Sequence, residues 1–256
     1  MFAPVSNTTD FSVQGVNFSA TLQFEQVRKM KNDVVETPNT HSGQDAFLPL
    51  LVALIATLLL TPLAKPLPLV VSLIGMAAQL AGLYAVWHNQ SIRSIVISGL
   101  AICVPMRLAA QLAGNQYPLL IPFSHTTSGV YFAILTFVVL VRVIAHQQVT
   151  SQTVFGAVCG YLMIGYVFTF GYLVLTILDP AAIVINGQPL GVEVTTNIGE
   201  HMAELAYFSF ISLTTVGYGD IVPVGPVART LAVVEVLAGQ LYLVVIVARL
   251  VGTMRD

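Results

Sequence analysis

Six long apolar stretches dominate the chain, at roughly 46–64, 67–87, 92–112, 128–145, 153–178 and 226–251. Each has the length a helix needs to cross the hydrocarbon core of a bilayer, about 20 residues with a range of roughly 17–25. Lipid offers no water to backbone N–H and C=O groups, so such stretches must satisfy those groups internally, as helices. Composition agrees. Hydrophobic residues make up 56% of the chain and charged residues 9%, against roughly 45–50% and about 25% in ordinary globular chains. A water-soluble fold of 256 residues could not cover its surface with so few charges. The net charge of −2 gives no sign of nucleic-acid binding.

Prolines divide the apolar runs. The first two stretches are separated only by Lys65-Pro66, and Pro62, Pro66 and Pro68 make them two helices rather than one. Tyr117 to Ser128, with two prolines and several hydroxyls, reads as a loop or an interfacial approach to the fourth span. Residues 1–45 are polar and hold no apolar core of signal-peptide length, so they read as a flexible cytoplasmic tail. With the amino terminus inside, Arg28, Lys29, Lys31, Arg93, Arg142, Arg249 and Arg255 fall on the cytoplasmic side, and Lys65, Arg107 and Arg229 on the other. That bias of seven to three puts both termini in the cytoplasm of a multi-pass cell-membrane protein. The Asn7-Thr8-Thr9 and Asn17-Phe18-Ser19 sequons then read as chance matches. Cys103 and Cys159 sit inside apolar runs and read as small packing residues.

Between the fifth and sixth spans the chain changes character. Residues 179–199 are rich in turn formers, and 200–213 form a short amphipathic stretch. Fourteen residues at about 1.5 Å each cannot cross a bilayer as a helix. They fit a re-entrant helix that enters from outside, dips halfway and returns as extended backbone, which membranes tolerate only where it is buried in protein or lines water. The return strand is Thr214-Thr215-Val216-Gly217-Tyr218-Gly219-Asp220.

This heptapeptide resembles the selectivity filter of potassium channels, whose pattern is TVGYG, usually followed by Asp. The resemblance implies an all-α membrane protein: six transmembrane helices plus a re-entrant pore helix and an extended filter, assembled as a homotetramer around K+ ions. Residues 46–145 would form a four-helix transmembrane domain and 153–252 the pore domain. An ion that sheds its water needs replacement oxygens, and backbone carbonyls aimed at one axis supply them. Successive carbonyls can face one side only where the backbone visits conformations that Cβ disfavours, which Gly217 and Gly219 permit. The ion-facing carbonyls are assigned to Thr215, Val216, Gly217 and Tyr218, with the Thr215 hydroxyl as the innermost donor. Val216 and Tyr218 are expected to pack outward against the pore helix. Thr214, Gly219, Asp220 and Tyr207 support the filter, with a Tyr207–Asp220 hydrogen bond at its outer mouth.

The resemblance continues past the filter. Relatives carry an inner-helix glycine some twenty residues beyond the last filter glycine, and here that position is Gly239, a gating hinge or a close-packing position. Gln240, Leu243, Val247 and Val251 form a stripe that alignment turns toward the cavity, where apolar rings gate by dewetting. Some relatives place a Glu behind the filter where this chain has Ile211, so no carboxylate pair is expected there. Glu200 and Glu204 open the pore helix, where carboxylates meet the helix dipole favourably. Glu235, inside the sixth span, is expected to hydrogen-bond the pore helix or its neighbour rather than line the pore.

The fourth span carries a single Arg142. One charge moved through 100 mV gives about 2.3 kcal/mol, and steep gating takes 3–4 charges per subunit, so this region is not an Arg-rich voltage sensor. Arg142 reads as a positive-inside anchor, and His88, His125 and His146 as interfacial residues. His201 and Glu204 share a helical face, but two ligands do not make a zinc site. No cluster has catalytic spacing, so neither an enzyme nor a bound cofactor is expected. The alternatives to a potassium channel are a less selective cation channel and a non-conducting membrane subunit that keeps the pore fold.

Overall fold

Proline and hydroxyl residues set the helix boundaries in the computed structural model, which describes residues 47–64, 68–87, 90–113, 117, 120–145, 150–190 and 198–253. Helix α1 (Phe47–Leu60) tightens into a 3-10 turn over Thr61–Ala64, since Pro62 cannot extend an α-helix. Helix α2 (Pro68–Val86) opens on a proline, at the end of a helix where no N–H is required. Helix α3 (Gln90–Ala113) carries Pro105 internally. The amino-terminal tail expected over 1–45, and the Lys65-Pro66 turn, lie outside the described residues.

Helix α4 (Leu120–Ala145) begins eight residues before the expected start of the fourth span. Its hydroxyls are the reason. Ser124 donates to the Ile121 carbonyl at 2.7 Å, Thr126 to Pro122 at 2.9 Å, Thr127 to Phe123 at 3.0 Å and Ser128 to Ser124 at 2.8 Å. Residues that look like loop formers in a one-dimensional pattern thus bond back onto their own helix. Pro122 costs nothing in the first turn, where its missing N–H would have had no partner. His125 consequently lies within the helix rather than in a loop. At the other end Arg142 reaches the Ala85 carbonyl and lies 5.7 Å from the centre of the Phe47 ring, a tie between α4, α2 and α1.

Helix α5 (Ser151–Leu178) starts on a capping box in which Thr150 and Thr153 satisfy each other's backbone N–H. It then runs 28 residues, about 42 Å. Asp179 ends it, accepting from the Ala181 N–H at 3.1 Å. The turn-rich segment that follows is more ordered than its sequence suggests. Strands β1 (Ile183–Ile185) and β2 (Gln188–Pro189) form a hairpin across Asn186 and Gly187, both at positive φ (49° and 83°), the signature of a two-residue primed turn. Strand β3 (Ile221–Pro223) pairs antiparallel with β1 on the other side, giving the order β2-β1-β3 with Val184 opposite Val222. The molecule is therefore mostly helical rather than all-α. Helix α6 (Ile198–Leu213) and helix α7 (Pro226–Thr253) complete the chain.

Two apolar clusters hold these elements. The first joins α1, α2 and α4 to α5 through Leu50, Leu54, Ala85, Leu135, Val139, Met163 and Tyr166. Tyr166 also donates to the Leu54 carbonyl at 3.0 Å. The second packs the hairpin and α6 on α5 and α7 through Tyr172, Leu173, Ile183, Leu205, Phe208 and Ile221. Among the described residues four helices are long and apolar enough to cross a membrane, spanning Arg93–Ala113, Leu120–Ala145, Ser151–Leu178 and Pro226–Arg249. The apolar helices Phe47–Leu63 and Ser72–Val86 are shorter.

Candidate functional site

Helix α6 ends at Leu213, whose side chain is fully buried, and the backbone then reverses. The first N–H groups after the helix are spent on its last carbonyls. Thr214 donates to Phe210 at 3.1 Å and Thr215 to Ser212 at 2.9 Å, while Val216 and Gly217 both donate to Ile211, at 2.9 and 3.2 Å. Among the described residues no hydrogen bond ends on the carbonyls of Thr215, Val216, Gly217 or Tyr218. Donors are tied back and acceptors are left over.

The backbone angles of the segment alternate in sign. Thr215, Gly217 and Gly219 have positive φ (61°, 51° and 83°), while Val216 and Tyr218 between them do not. Regular alternation of positive and negative φ is the pattern that a row of peptide groups turned the same way requires. The N–H counterpart of this geometry is the anion-binding nest. A Cβ at Gly217 or Gly219 would meet nothing within 4 Å, so conformation rather than crowding requires glycine there. Thr215 adopts the left-handed region despite its branched Cβ, a strained state of the kind that gathers at functional sites. The sequence pointed to the glycines and not to this threonine.

Val216 and Tyr218 depart from expectation. They are 52% and 73% exposed and do not pack against the pore helix of their own chain. The backbone reverses at Thr214, after the end of α6, and both side chains stay open. The other mouth residues come together as expected. Tyr207 Oη donates to Asp220 Oδ2 at 2.8 Å. By accepting that proton, Asp220 raises the Tyr207 phenol above its ordinary value. The Asp220 carbonyl also receives the Asn186 N–H at 2.9 Å, so the hairpin fastens the outer end of the segment. No sequence signal pointed to this use of Asn186.

Behind the segment, α7 and α5 meet the end of α6. A Cβ on Gly239 would lie 2.7 Å from Leu213 Cδ1 and 2.8 Å from the Leu213 carbonyl oxygen, so Gly239 is a close-packing position. The same carbonyl accepts from Tyr161 Oη at 3.2 Å. One turn before Gly239, the fully buried Glu235 bonds Ser209 of α6 and Tyr172 of α5, the placement expected for it. Glu200 and Glu204 fall in the first two turns of α6. Gln240, Leu243 and Val247 are exposed on α7, away from the side that buries Glu235, Gly239 and Ile246. The side chain of Val251 lies outside the described residues. Among the described residues no group of three His, Cys, Asp or Glu could hold a metal ion.

No curated protein and no solved structure matches the chain. Residues 162–256, from the middle of α5 to the end of the chain, match the family model described as an ion channel, and this stretch includes one whole helix, α7, that is long and apolar enough to cross a membrane.

Proposed function

We propose that the chain is a potassium-selective channel that conducts K+ passively through a filter of backbone carbonyls from Thr215, Val216, Gly217 and Tyr218. The observation that carries this reading is the alternation of positive φ at Thr215, Gly217 and Gly219, with the intervening carbonyls unbonded. A dehydrated cation needs oxygens on all sides, and one chain offers one carbonyl at each level. The reading therefore includes a homotetramer with four filters around one axis. The exposure of Val216, Tyr218 and most of α7 supports it, because a single chain leaves that apolar surface uncovered. Thr214, Gly219, Asp220 and Tyr207 hold the filter's shape. Leu243, Val247 and Val251 line the cavity below it, with Gln240 near its top.

In this reading the two shorter apolar helices join the four longer ones as spans, both termini are cytoplasmic, and the pore loop enters from outside. Conduction needs no chemistry and no cofactor. Reconstitution into liposomes with matched potassium and sodium gradients tests the proposal, with potassium flux well above sodium flux as the expected result. Equal fluxes would make the chain a less selective cation channel. Absence of flux from a folded tetramer would make it a non-conducting subunit.

A further inference from the structure

Three short oxygen–oxygen contacts run in a line through Glu235. Tyr172 Oη lies 2.7 Å from Glu235 Oε2, Glu235 Oε1 lies 2.5 Å from Ser209 Oγ, and Ser209 Oγ lies 2.7 Å from the Gly165 carbonyl oxygen. Glu235, Ser209 and Tyr172 are all fully buried. Oxygens this close need a proton between them, because facing lone pairs repel. The Gly165 carbonyl has no proton, so the Ser209 hydroxyl donates to it. Ser209 has only one proton, and the contact with Glu235 must then be filled from the Glu235 side. The Tyr172 hydroxyl fills the third contact.

The count separates the two charge states. A carboxylate leaves two protons for three contacts and sets Oε1 against a Ser209 lone pair. A carboxylic acid gives three protons for three contacts, each donor used once. We propose that Glu235 is an uncharged carboxylic acid at neutral pH, donating from Oε1 to Ser209, and that this proton positions the pore helix behind the filter.

The surroundings favour a neutral group. From α5 the ionisable side chains facing Glu235 are Tyr172, in contact, and Tyr161, three turns away. From α6 the Ser209 hydroxyl bonds it, and among the described residues α7 adds no charged group to the contact. Among the described residues no ion pair or cation contact to Glu235 balances a negative charge there, and an unpaired buried charge is costly. The position also matters for the filter. Glu235 meets Ser209, and one turn further along both helices Gly239 meets Leu213, the last residue before the reversal. The inner helix thus grips the pore helix at two successive turns, and a shift of α7 reaches the filter through both. Removal of the Glu235 proton to solvent leaves Ser209 to choose between Gly165 and the carboxylate, and one tie on α6 is lost. Glu235 is a positioning residue and touches no ion.

Infrared difference spectra of the purified protein in lipid, wild type minus E235Q, test the protonation directly. A protonated-carboxyl carbonyl band at neutral pH, lost in E235Q, is expected; its absence from the wild type overturns the proposal. This arm is independent of what the pore conducts, whereas the flux arm rests on the potassium-channel reading. In liposomes E235Q should keep potassium flux within about threefold, because its amide N–H donates to Ser209 and its carbonyl accepts from Tyr172. E235A and S209A should lose about tenfold or more, the scale of a buried group left without its partner. E235Q as poor as E235A, with the band present, overturns the positioning role. If E235A does not assemble, the pH profile decides. Wild-type flux should fall on the alkaline side while E235Q does not follow, and equal sensitivity overturns the role. If no variant selects potassium, the filter reading fails and the infrared band still decides the charge of Glu235.

Discussion

Gly217 and Thr215 occupy the same region of backbone space for opposite reasons. Glycine enters it without penalty, whereas a side chain there costs roughly 1–2 kcal/mol, and Thr215 is held at φ 61° by the bonds on either side of it. Gly217→Ala adds a methyl that meets nothing, so its effect isolates the backbone. We expect it to tilt the segment out of the alternating pattern and lower the potassium-to-sodium flux ratio; an unchanged ratio would show that the alternation is not what selects. Tyr207→Phe removes only the hydroxyl bonded to Asp220. Loss of that hydrogen bond predicts faster decay of current under steady activation. Single-channel recordings with decay equal to wild type would argue against a clamp. The pH sign follows from the raised Tyr207 phenol. The bond is present while Tyr207 is protonated, which covers all pH values below the ordinary value near 10. It is lost only as pH rises through the raised value, so this pair contributes no pH dependence near neutrality.

At the scale of elements, α6 and α7 meet around the residue at which the backbone reverses. Leu213 is bonded at its carbonyl by Tyr161 from α5 and touched there by Gly239 from α7. Gly239→Ala would put Cβ at 2.8 Å from that oxygen, which neither helix can relieve by rotating a side chain. The expected result is a lower thermal midpoint for the assembled protein together with reduced flux. A pure hinge would instead leave the midpoint near wild type and alter opening alone, so a thermal scan beside the flux assay separates the two readings. The hairpin has the complementary task at the outer end, where Asn186 holds the carbonyl of Asp220 and β3 continues directly from it into α7. The hairpin is thereby bonded to the start of the short stretch of chain that leads through β3 into α7.

For the whole molecule, the telling feature is how little of α7 is covered. Leu237, Leu241, Val244 and Val247 are each more than half exposed, as are Val216 and Tyr218 in the filter. Lipid can cover an apolar helix, but it cannot cover a row of unbonded carbonyls, which need ions or water. Ions bound between four copies would stabilise the assembly by mass action, about 2.7 kcal/mol at a concentration 100 times the dissociation constant. In the proposed tetramer, exchanging K+ for Na+ should therefore lower the thermal midpoint, and midpoints equal in the two salts would count against ions held by residues 215–218. The amino-terminal helices pack on α5 of their own chain, and Arg142 lies between the Ala85 carbonyl and the Phe47 ring. A charge so engaged is an anchor, and the conductance–voltage relation should be shallow.

Sequence alone determined the local facts: apolar runs long enough for lipid, a helix too short to span, glycines at alternate filter positions, and the Tyr207 and Asp220 pair. The first two depend on residue type and near spacing, which one dimension preserves, and the last two came from the resemblance of 214–220 to a potassium-channel filter. The start of α4 was hidden because hydroxyls that bond their own helix look the same in sequence as hydroxyls in a loop. The hairpin was hidden because strands of two and three residues carry too little pattern to register. The partners of Glu235 and the crowding at Gly239 come from helices tens of residues apart, brought together by burial of two apolar clusters. Only the tertiary structure could decide them, since a proton count or a 2.8 Å clearance exists only where three chain segments meet.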